Sequence, residues 1–342
     1  MDLENKLIVS EEKRDFNKVY IVEKGKKRWI MSPSAFEKLG FRWENIKKIP
    51  ESIINKILDG DPIGESTYDI RYRMAAPFLS GKGIEIGAGI NPQRLPEKVE
   101  CEYFDKRDKN QITEYFGECS SIKTYPLSQF SSHFPELADF LIAHNVLEHC
   151  SNTISALVEW HGMIKNNGTV ILSVPYHECC PDKGRNLTPF DHILLDYLCE
   201  RNDDSYESRE HIYSNIMGWI DDGGFKNKSK FEVAHFAHQC AHAKENDLHW
   251  HVFSEEVLKT CIQFSALIEG KSVCFEKVAA PYKTNYDQKT ECEIIVIYRL
   301  KNEKTQLMEE SLKEELGKMR NRLEEANKKL CGSWYPSNKI LQ

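Results

Sequence analysis

The chain has 342 residues, with 46 Lys plus Arg against 53 Asp plus Glu and a formal net charge of −7. That length holds one large or two small domains with a real core, and the acidic balance, with no long basic stretch interleaved by aromatics, argues against nucleic acid as the main partner. No apolar run approaches the roughly 20 residues of a membrane span, residues 1–14 are too charged for a secretory signal, and 11 cysteines without a CxxC pair fit reduced thiols in a cytoplasmic protein.

Residues 1–16 are polar and expected to fray. Val19-Tyr20-Ile21-Val22 and Lys27-Arg28-Trp29-Ile30 flank Glu23-Lys24-Gly25-Lys26, which reads as a β-hairpin with a glycine-bearing turn. Ser32-Pro33 opens a helix, serine as N-cap and proline in the first position, with Ala35, Phe36 and Leu39 as its apolar face. A second short helix is expected within 43–58. This hairpin-plus-helix module, 1–62, is small for independent stability. Asp61-Pro62-Ile63-Gly64 reads as its boundary, and a helix over 68–79 leads into the first strand of a larger domain, 63–300.

That strand, with Ile84 and Ile86, runs into Gly87-Ala88-Gly89, and a second short apolar run ends at Asp105. Glycines there let backbone approach a ligand without a Cβ in the way. An acid at the tip of the next strand can accept hydrogen bonds from both ribose hydroxyls. The dinucleotide fingerprint needs a third glycine where this chain has Pro92. A pyrophosphate also wants a helix start behind the loop, and Ile90-Asn91-Pro92-Gln93-Arg94-Leu95-Pro96 offers none. S-adenosylmethionine, which has no phosphate, fits the pattern. Glu85 either orients the loop or faces the cofactor's ammonium group.

A buried-strand run at 140–143 ends in His144-Asn145, where a ligand would sit. A helix over 157–164, closed by Gly168 in the C-cap role, leads to a β-branched strand over 169–174 stopped by Pro175. Strand, helix, strand with short loops is the unit of a parallel sheet. Helices are expected over 187–198 and 208–220, broken by Asp221-Asp222-Gly223-Gly224, and 294–300 is a final strand. In the last forty residues Leu312, Leu316, Met319, Leu323, Ala326 and Leu330 alternate spacings of four and three. That a/d seam over 301–342 points to a coiled-coil helix and a homo-oligomer.

The words Glu85-Ile86-Gly87-Ala88-Gly89, Asp105 and His144-Asn145-Val146-Leu147-Glu148-His149 resemble those of the class I S-adenosylmethionine-dependent methyltransferases over roughly residues 65–300. More narrowly, the chain is similar to methyltransferases associated with glycosyltransferases in bacterial surface-polysaccharide gene clusters. The narrower likeness rests on the Pro-rich loop, Asp105-Lys106-Arg107, the word Arg185-Asn186-Leu187-Thr188-Pro189-Phe190-Asp191-His192, and His249-Trp250-His251. Separately, Lys27-Arg28-Trp29-Ile30-Met31-Ser32-Pro33 is similar to segments of glycan-related bacterial proteins, which implies a binding or docking module, and Ser333-Trp334 is similar to a word that follows coiled coils in glycosyltransferase-cluster proteins.

The resemblance implies an α/β, Rossmann-like sheet with helices on both faces and a substrate insert over about 177–255. It implies an S-adenosylmethionine site drawn from Glu85, Gly87, Ala88, Gly89, Asn91, Asp105, Lys106, His144, Asn145 and Val146. It also implies O-methylation of a glycan or glycan precursor bound by Arg185, Asp191 and His249. A lipid- or quinone-type acceptor and a non-catalytic binding scaffold are the alternatives. The Asn/Asp-Pro-Pro-Tyr word of amino-directed nucleic-acid methyltransferases is absent at 144–147.

A sugar hydroxyl is a weak nucleophile, so a general base or a metal is expected. His192 is the first candidate base, with His149 and His251 behind it. On a strand His249 and His251 would face the same side. His235, His238 and His242 share a helix face and, with Cys240 or the 249/251 pair, form a possible zinc set. Whether a divalent metal is required stays open on the sequence.

Overall fold

The structure is a computed structural model. It describes residues 2–12, 18–31, 33–60, 62–64, 67–116, 122–201, 209–221, 228–242, 248–280, 292–302, 314, 316–319, 321, 322 and 325. The chain forms two compact units, Met1–Pro77 and Phe78–Gln342.

In the first unit a five-stranded sheet is built from β1 Leu7–Ser10, β2 Tyr20–Glu23, β3 Lys26–Trp29, β4 Lys47–Ile49 and β5 Leu58–Asp59, in the order β4-β1-β2-β3-β5. The expected hairpin is β2–β3, with Tyr20 opposite Trp29 and Glu23 opposite Lys26. Its turn is the pair Lys24 and Gly25, with φ of 54° and 70°, the left-handed pair that a tight hairpin needs. Leu7–Ser10 does not fray. Its apolar residues Leu7, Ile8 and Val9 are buried and it pairs with β2 and β4.

Helix α1 Pro33–Lys38 starts at proline as expected. The second helix expected within 43–58 is instead a 3-10 turn at Trp43–Asn45, then β4, then the one-turn helix α2 Glu51–Ile54. Pro50, which cannot donate to a helix, separates the last two. Ile63 bridges Ile30 in parallel, which keeps residues beyond Pro62 with this unit. Helix α3 Thr67–Ala75 follows, extended by a 3-10 turn at Ala76–Phe78.

The second unit holds a seven-stranded sheet: β6 Lys82–Ile86, β7 Glu100–Asp105, β8 Thr124–Pro126, β9 Ala138–His144, β10 Ile164–Pro175, β11 Lys271–Ala279 and β12 Glu293–Asn302. Its order is β11-β12-β10-β9-β6-β7-β8. Every pairing is parallel except those of β12, which runs antiparallel to β10 and β11. The helices are α4 Lys109–Phe116, α5 Phe130–His133, α6 Thr153–Gly162, α7 Phe190–Leu198, α8 Arg209–Asp221, α9 Lys230–His242 and α10 Glu255–Ile268.

Successive residues of β9, β10 and β12 point to opposite faces, yet residues 140–144, 169–174 and 293–298 are all buried. Both faces of the sheet are therefore covered, as parallel sheets require. This is the Rossmann-like α/β sheet that the resemblance implies. From β6 the chain steps outward to β7 and β8, then returns past β6 to β9 and β10, so the order reverses between β6 and β9. In open α/β sheets ligands bind outside the carboxyl ends of the strands at such a reversal.

Two local expectations change. Helix α6 begins at Thr153, capped by Asn152 accepting from Ser155 N, and ends at Gly162. Gly168 is no C-cap. It lies in an irregular stretch of β10, between the pairings of Ile164 and Thr169, where Asn167 takes the positive φ.

The insert between β10 and α10 carries α7, α8 and α9, with a small core of Ile212, Ile216, Ala237, Leu248 and Trp250. Of the expected seam, Leu316 and Met319 are described, whereas Leu312, Leu323, Ala326 and Leu330 lie outside the described residues, as do the Asp222-Gly223-Gly224 break and the Ser333-Trp334 word. Leu316 is buried in the main core of this unit. Among the described residues no helix is long and apolar enough to cross a membrane.

Candidate functional site

The carboxyl ends of β6, β7 and β9 lie side by side, with Ile86 paired to both Phe104 and Ala143. Beyond them stand the glycine turn, Asp105 and His144-Asn145. Gly87 has φ +71°, and a Cβ there would come 2.5 Å from Cγ2 of Val146. Conformation and space both demand glycine. Gly89 also has a positive φ, 56°. Ala88 is buried and Asn91 is exposed, its amide bonded to the Ala88 carbonyl at 3.0 Å.

Of the two roles open to Glu85, its buried carboxylate fills the first. Both oxygens accept the Gln93 amide, at 2.9 and 3.1 Å, which folds the loop back onto β6. The Gln93 side chain in turn reaches Nε2 of His144 at 3.2 Å, and His144 Nδ1 meets Ser173 Oγ at 2.9 Å. His144 is thus a buried brace between the loop and β10. Asn145 is exposed, in the left-handed region at φ 54°, and donates to Glu293 Oε1 at 2.9 Å. Asp105 is buried at the tip of β7 and accepts the Arg107 amide at 3.0 Å. Burial pushes its carboxyl up, against the opposing pull of that amide and the Arg107 charge. Lys106 is exposed and Val146 half-buried.

Directly after Val146 a 3-10 turn, Leu147–His149, carries Glu148 and His149 beside the insert. Glu148 is fully buried, and neither oxygen has a hydrogen-bond partner elsewhere among the described residues. Burial raises its carboxyl to about 8, against the pull of His249. His149 Nδ1 lies 3.3 Å from the Leu248 carbonyl, and its ring meets that of His249 edge-on at 4.9 Å. His249 Nδ1 bonds Asp182 Oδ2 at 2.5 Å. Burial works against the imidazolium, but the Asp182 bond and the Glu148 charge outweigh it and hold the His249 pKa above its ordinary value. Donor atoms of Glu148, His149 and His249 stand within 4.8 Å of one another, as do those of Cys180, Asp182 and His249.

His251 does not share the His249 site. Residues 248–253 form no strand, so the alternation expected of them is lost and Trp250 divides the two histidines. His251 is buried, with Nδ1 on Thr153 Oγ1 at 3.1 Å and Nε2 on Asp196 Oδ2 at 2.9 Å. Both nitrogens are engaged, which does not suit a base that must reach an acceptor. His192, on α7, directs Nε2 toward His211 and Asp196.

Arg185 is buried as a clamp. Its Nη1 donates to Asp182 Oδ1, Asn215 Oδ1 and the His249 carbonyl at 2.7, 3.0 and 2.9 Å, and Nη2 to the Trp250 carbonyl at 3.2 Å. Three pieces of the insert are tied together by this one side chain rather than offered to a ligand. Asp191 lies apart, lining a cavity of about 400 Å³ with Leu194, Leu195, Leu198, Met319 and Arg322.

His235 and His238 are exposed on α9 and join none of these clusters among the described residues. The side chains of Cys240 and His242 lie outside them. Sequence reasoning missed Asp182, Asp196 and His211. The one signal was that Asp196 follows His192 by four, a spacing that shares a helix face.

No protein-family model matches the chain, and no curated protein matches it. Among solved structures it is similar to the CurJ carbon methyltransferase, at 14% identity over 66% of this chain and 50% of that chain, with a TM-score of 0.33. It thus spans half the length of that protein. It is similar to the plantazolicin methyltransferase BamL in complex with a triazolic analog and SAH, at 10% identity over 69% and 83%, TM-score 0.36. A third is the N-methyltransferase NodS from Bradyrhizobium japonicum WM9, at 13% identity over 69% and 94%, TM-score 0.31.

Proposed function

We propose that this chain is an S-adenosylmethionine-dependent methyltransferase acting on a hydroxyl of a polar acceptor, a glycan or glycan precursor in polysaccharide biosynthesis. The observation that carries this reading is the reversal of strand order between β6 and β9, where the glycine turn after β6, the Asp105 carboxylate at the tip of β7 and Asn145 after β9 follow the carboxyl ends of adjoining strands. No residue between Ala88 and Val99 is helical, so no helix N-terminus stands behind the turn to take a pyrophosphate. A phosphate-free nucleoside needs none. Asp105 would hold the ribose hydroxyls, and the backbone from Gly87 to Gly89 would pass close to the rest of the cofactor. When bound, S-adenosylmethionine supplies a methyl group already activated by a positive sulfur.

The chain's own work is to place the acceptor and take its proton. His149 has the position for the second task, four residues past Asn145. The Leu248 carbonyl fixes the proton on Nδ1, which makes Nε2 the accepting atom. His149 and its neighbour His249 are only half-buried, and such polar rings suit a polyhydroxylated acceptor better than a lipid or quinone tail. We include in the proposal self-association of a cytoplasmic enzyme through its C-terminal helix.

Calorimetric titration of the full chain with S-adenosylmethionine tests the cofactor. A screen of glycans and small metabolites, reading S-adenosylhomocysteine release with and without chelator, tests the acceptor. Saturable binding and turnover of a glycan are expected. No binding overturns the cofactor assignment, and turnover of lipids or quinones alone overturns the acceptor class.

A further inference from the structure

Four donor atoms converge where α7, α8 and the 248–253 segment meet. His192 Nε2 lies 3.3 Å from His211 Nε2 and 3.5 Å from Asp196 Oδ2. The same carboxylate oxygen lies 3.6 Å from His211 Nε2 and 2.9 Å from His251 Nε2. All four atoms stand within 4.8 Å of one another, and Asp196, His211 and His251 are buried. Ligand atoms placed about 2.0–2.1 Å from a zinc ion at the corners of a tetrahedron are roughly 3.3–3.4 Å apart. Four of the six separations, 2.9–3.6 Å, are close to that spacing, and the other two are within 4.8 Å.

The outward-facing atoms are engaged as metal ligands require. His211 Nδ1 lies 2.8 Å from the Trp250 carbonyl, which can only accept, so Nδ1 carries the proton and Nε2 the inward lone pair. His251 Nδ1 meets the Thr153 hydroxyl at 3.1 Å. The second oxygen of Asp196 accepts from Arg201 Nη1 at 2.6 Å, and its main-chain carbonyl takes Asn152 Nδ2 at 3.1 Å. Such outer partners fix ring orientation and ligand basicity in metal sites. With no cation and Nδ1 carrying the only proton, the lone pair of His211 faces the Asp196 carboxylate oxygen at 3.6 Å, and either a second proton on the ring or a shared ion relieves that contact.

We propose that His192, Asp196, His211 and His251 bind one zinc ion. Three imidazole nitrogens and one carboxylate oxygen form a closed set of four, which is the pattern of a structural site. The ion would fasten α7 and α8 to the segment that carries Trp250, and so hold the Arg185 clamp and His249 in position. It makes His192 and His251 ligands, and it stands independently of the methyltransferase assignment.

The full chain, purified with zinc present and then dialysed, should retain about one zinc per chain by elemental analysis. Cobalt(II) in its place should give the strong visible absorption of a tetrahedral ion. Asp196→Ala and His211→Ala should each lose the ion and the absorption. Arg201→Ala keeps all four ligands and should bind zinc about 10–100-fold more weakly, a readout that survives if the ligand variants fail to fold. A full chain with no stoichiometric ion and a melting temperature indifferent to zinc overturns the proposal. So does an ion retained by both ligand variants, which would place it away from these four side chains.

Discussion

The main-chain amide of Gln93 donates to both carboxylate oxygens of Glu85, eight residues earlier on the buried strand β6. A loop with two prolines and no helix is thereby held against the sheet by one acid. Glu85→Gln puts an amide N–H where only an acceptor belongs, and hydrogen bonds to charged groups contribute roughly 1.5–3 kcal/mol. We expect the melting temperature to fall by several degrees. Calorimetry showing an unshifted transition would remove Glu85 from this role.

Asp105 is the acid assigned to the ribose hydroxyls. Asp105→Ala should weaken S-adenosylmethionine binding by roughly 10–100-fold, the scale of one lost charged hydrogen bond. Isothermal titration decides it, and an unchanged affinity removes the ribose contact.

His149 is assigned the acceptor's proton. His149→Ala should lower turnover by about 100-fold or more, the usual share of a general base, and leave S-adenosylmethionine affinity within twofold. Normal turnover once the acceptor is known would return the base to another group.

His161 gives a pH dependence with a definite sign. It is buried on α6 with Nε2 on the Tyr298 hydroxyl at 2.8 Å, and burial, aided by Lys271, lowers its pKa to about 3. A depressed folded-state pKa adds stability above the unfolded value of about 6.5, and that stability is lost as pH falls through 6.5 toward 3. His161→Gln should therefore be less stable than the parent at pH 7, with the gap closing as the pH falls to 4. Parallel melting curves across that range would contradict this.

Leu316 is buried in the main core, and Met319 and Arg322 line the cavity beside α7. Leu316→Ala should cost about 2–4 kcal/mol, read by denaturant unfolding. If the C-terminal helix also carries self-association, a chain ending at Asn302 should be smaller by light scattering. An unchanged mass would leave Leu316 a purely intramolecular contact.

Local chemistry was legible from the residues. The hairpin followed from Lys24-Gly25 between apolar runs, and the parallel sheet from strands ending in glycine, acid and His-Asn words. Strand β1 was lost in a polar neighbourhood because its three apolar residues are too few for a period, and β4 because Lys47 and Lys48 are exposed. Both exist through pairing with partners elsewhere in the sequence.

The chain alone determined the glycine turn and the acid at the next strand's tip, since Gly87, Gly89 and Asp105 are set by backbone conformation and position at a strand end. Both are local properties that a few consecutive residues impose. Tertiary structure decided what the histidines do. His192 and His211 are 19 positions apart, and His251 lies 55 beyond Asp196. Which donors converge depends on how α7, α8 and an irregular segment pack, and no spacing rule reaches across loops of that length. The same packing sent His249 and His251, neighbours but for Trp250, into separate clusters.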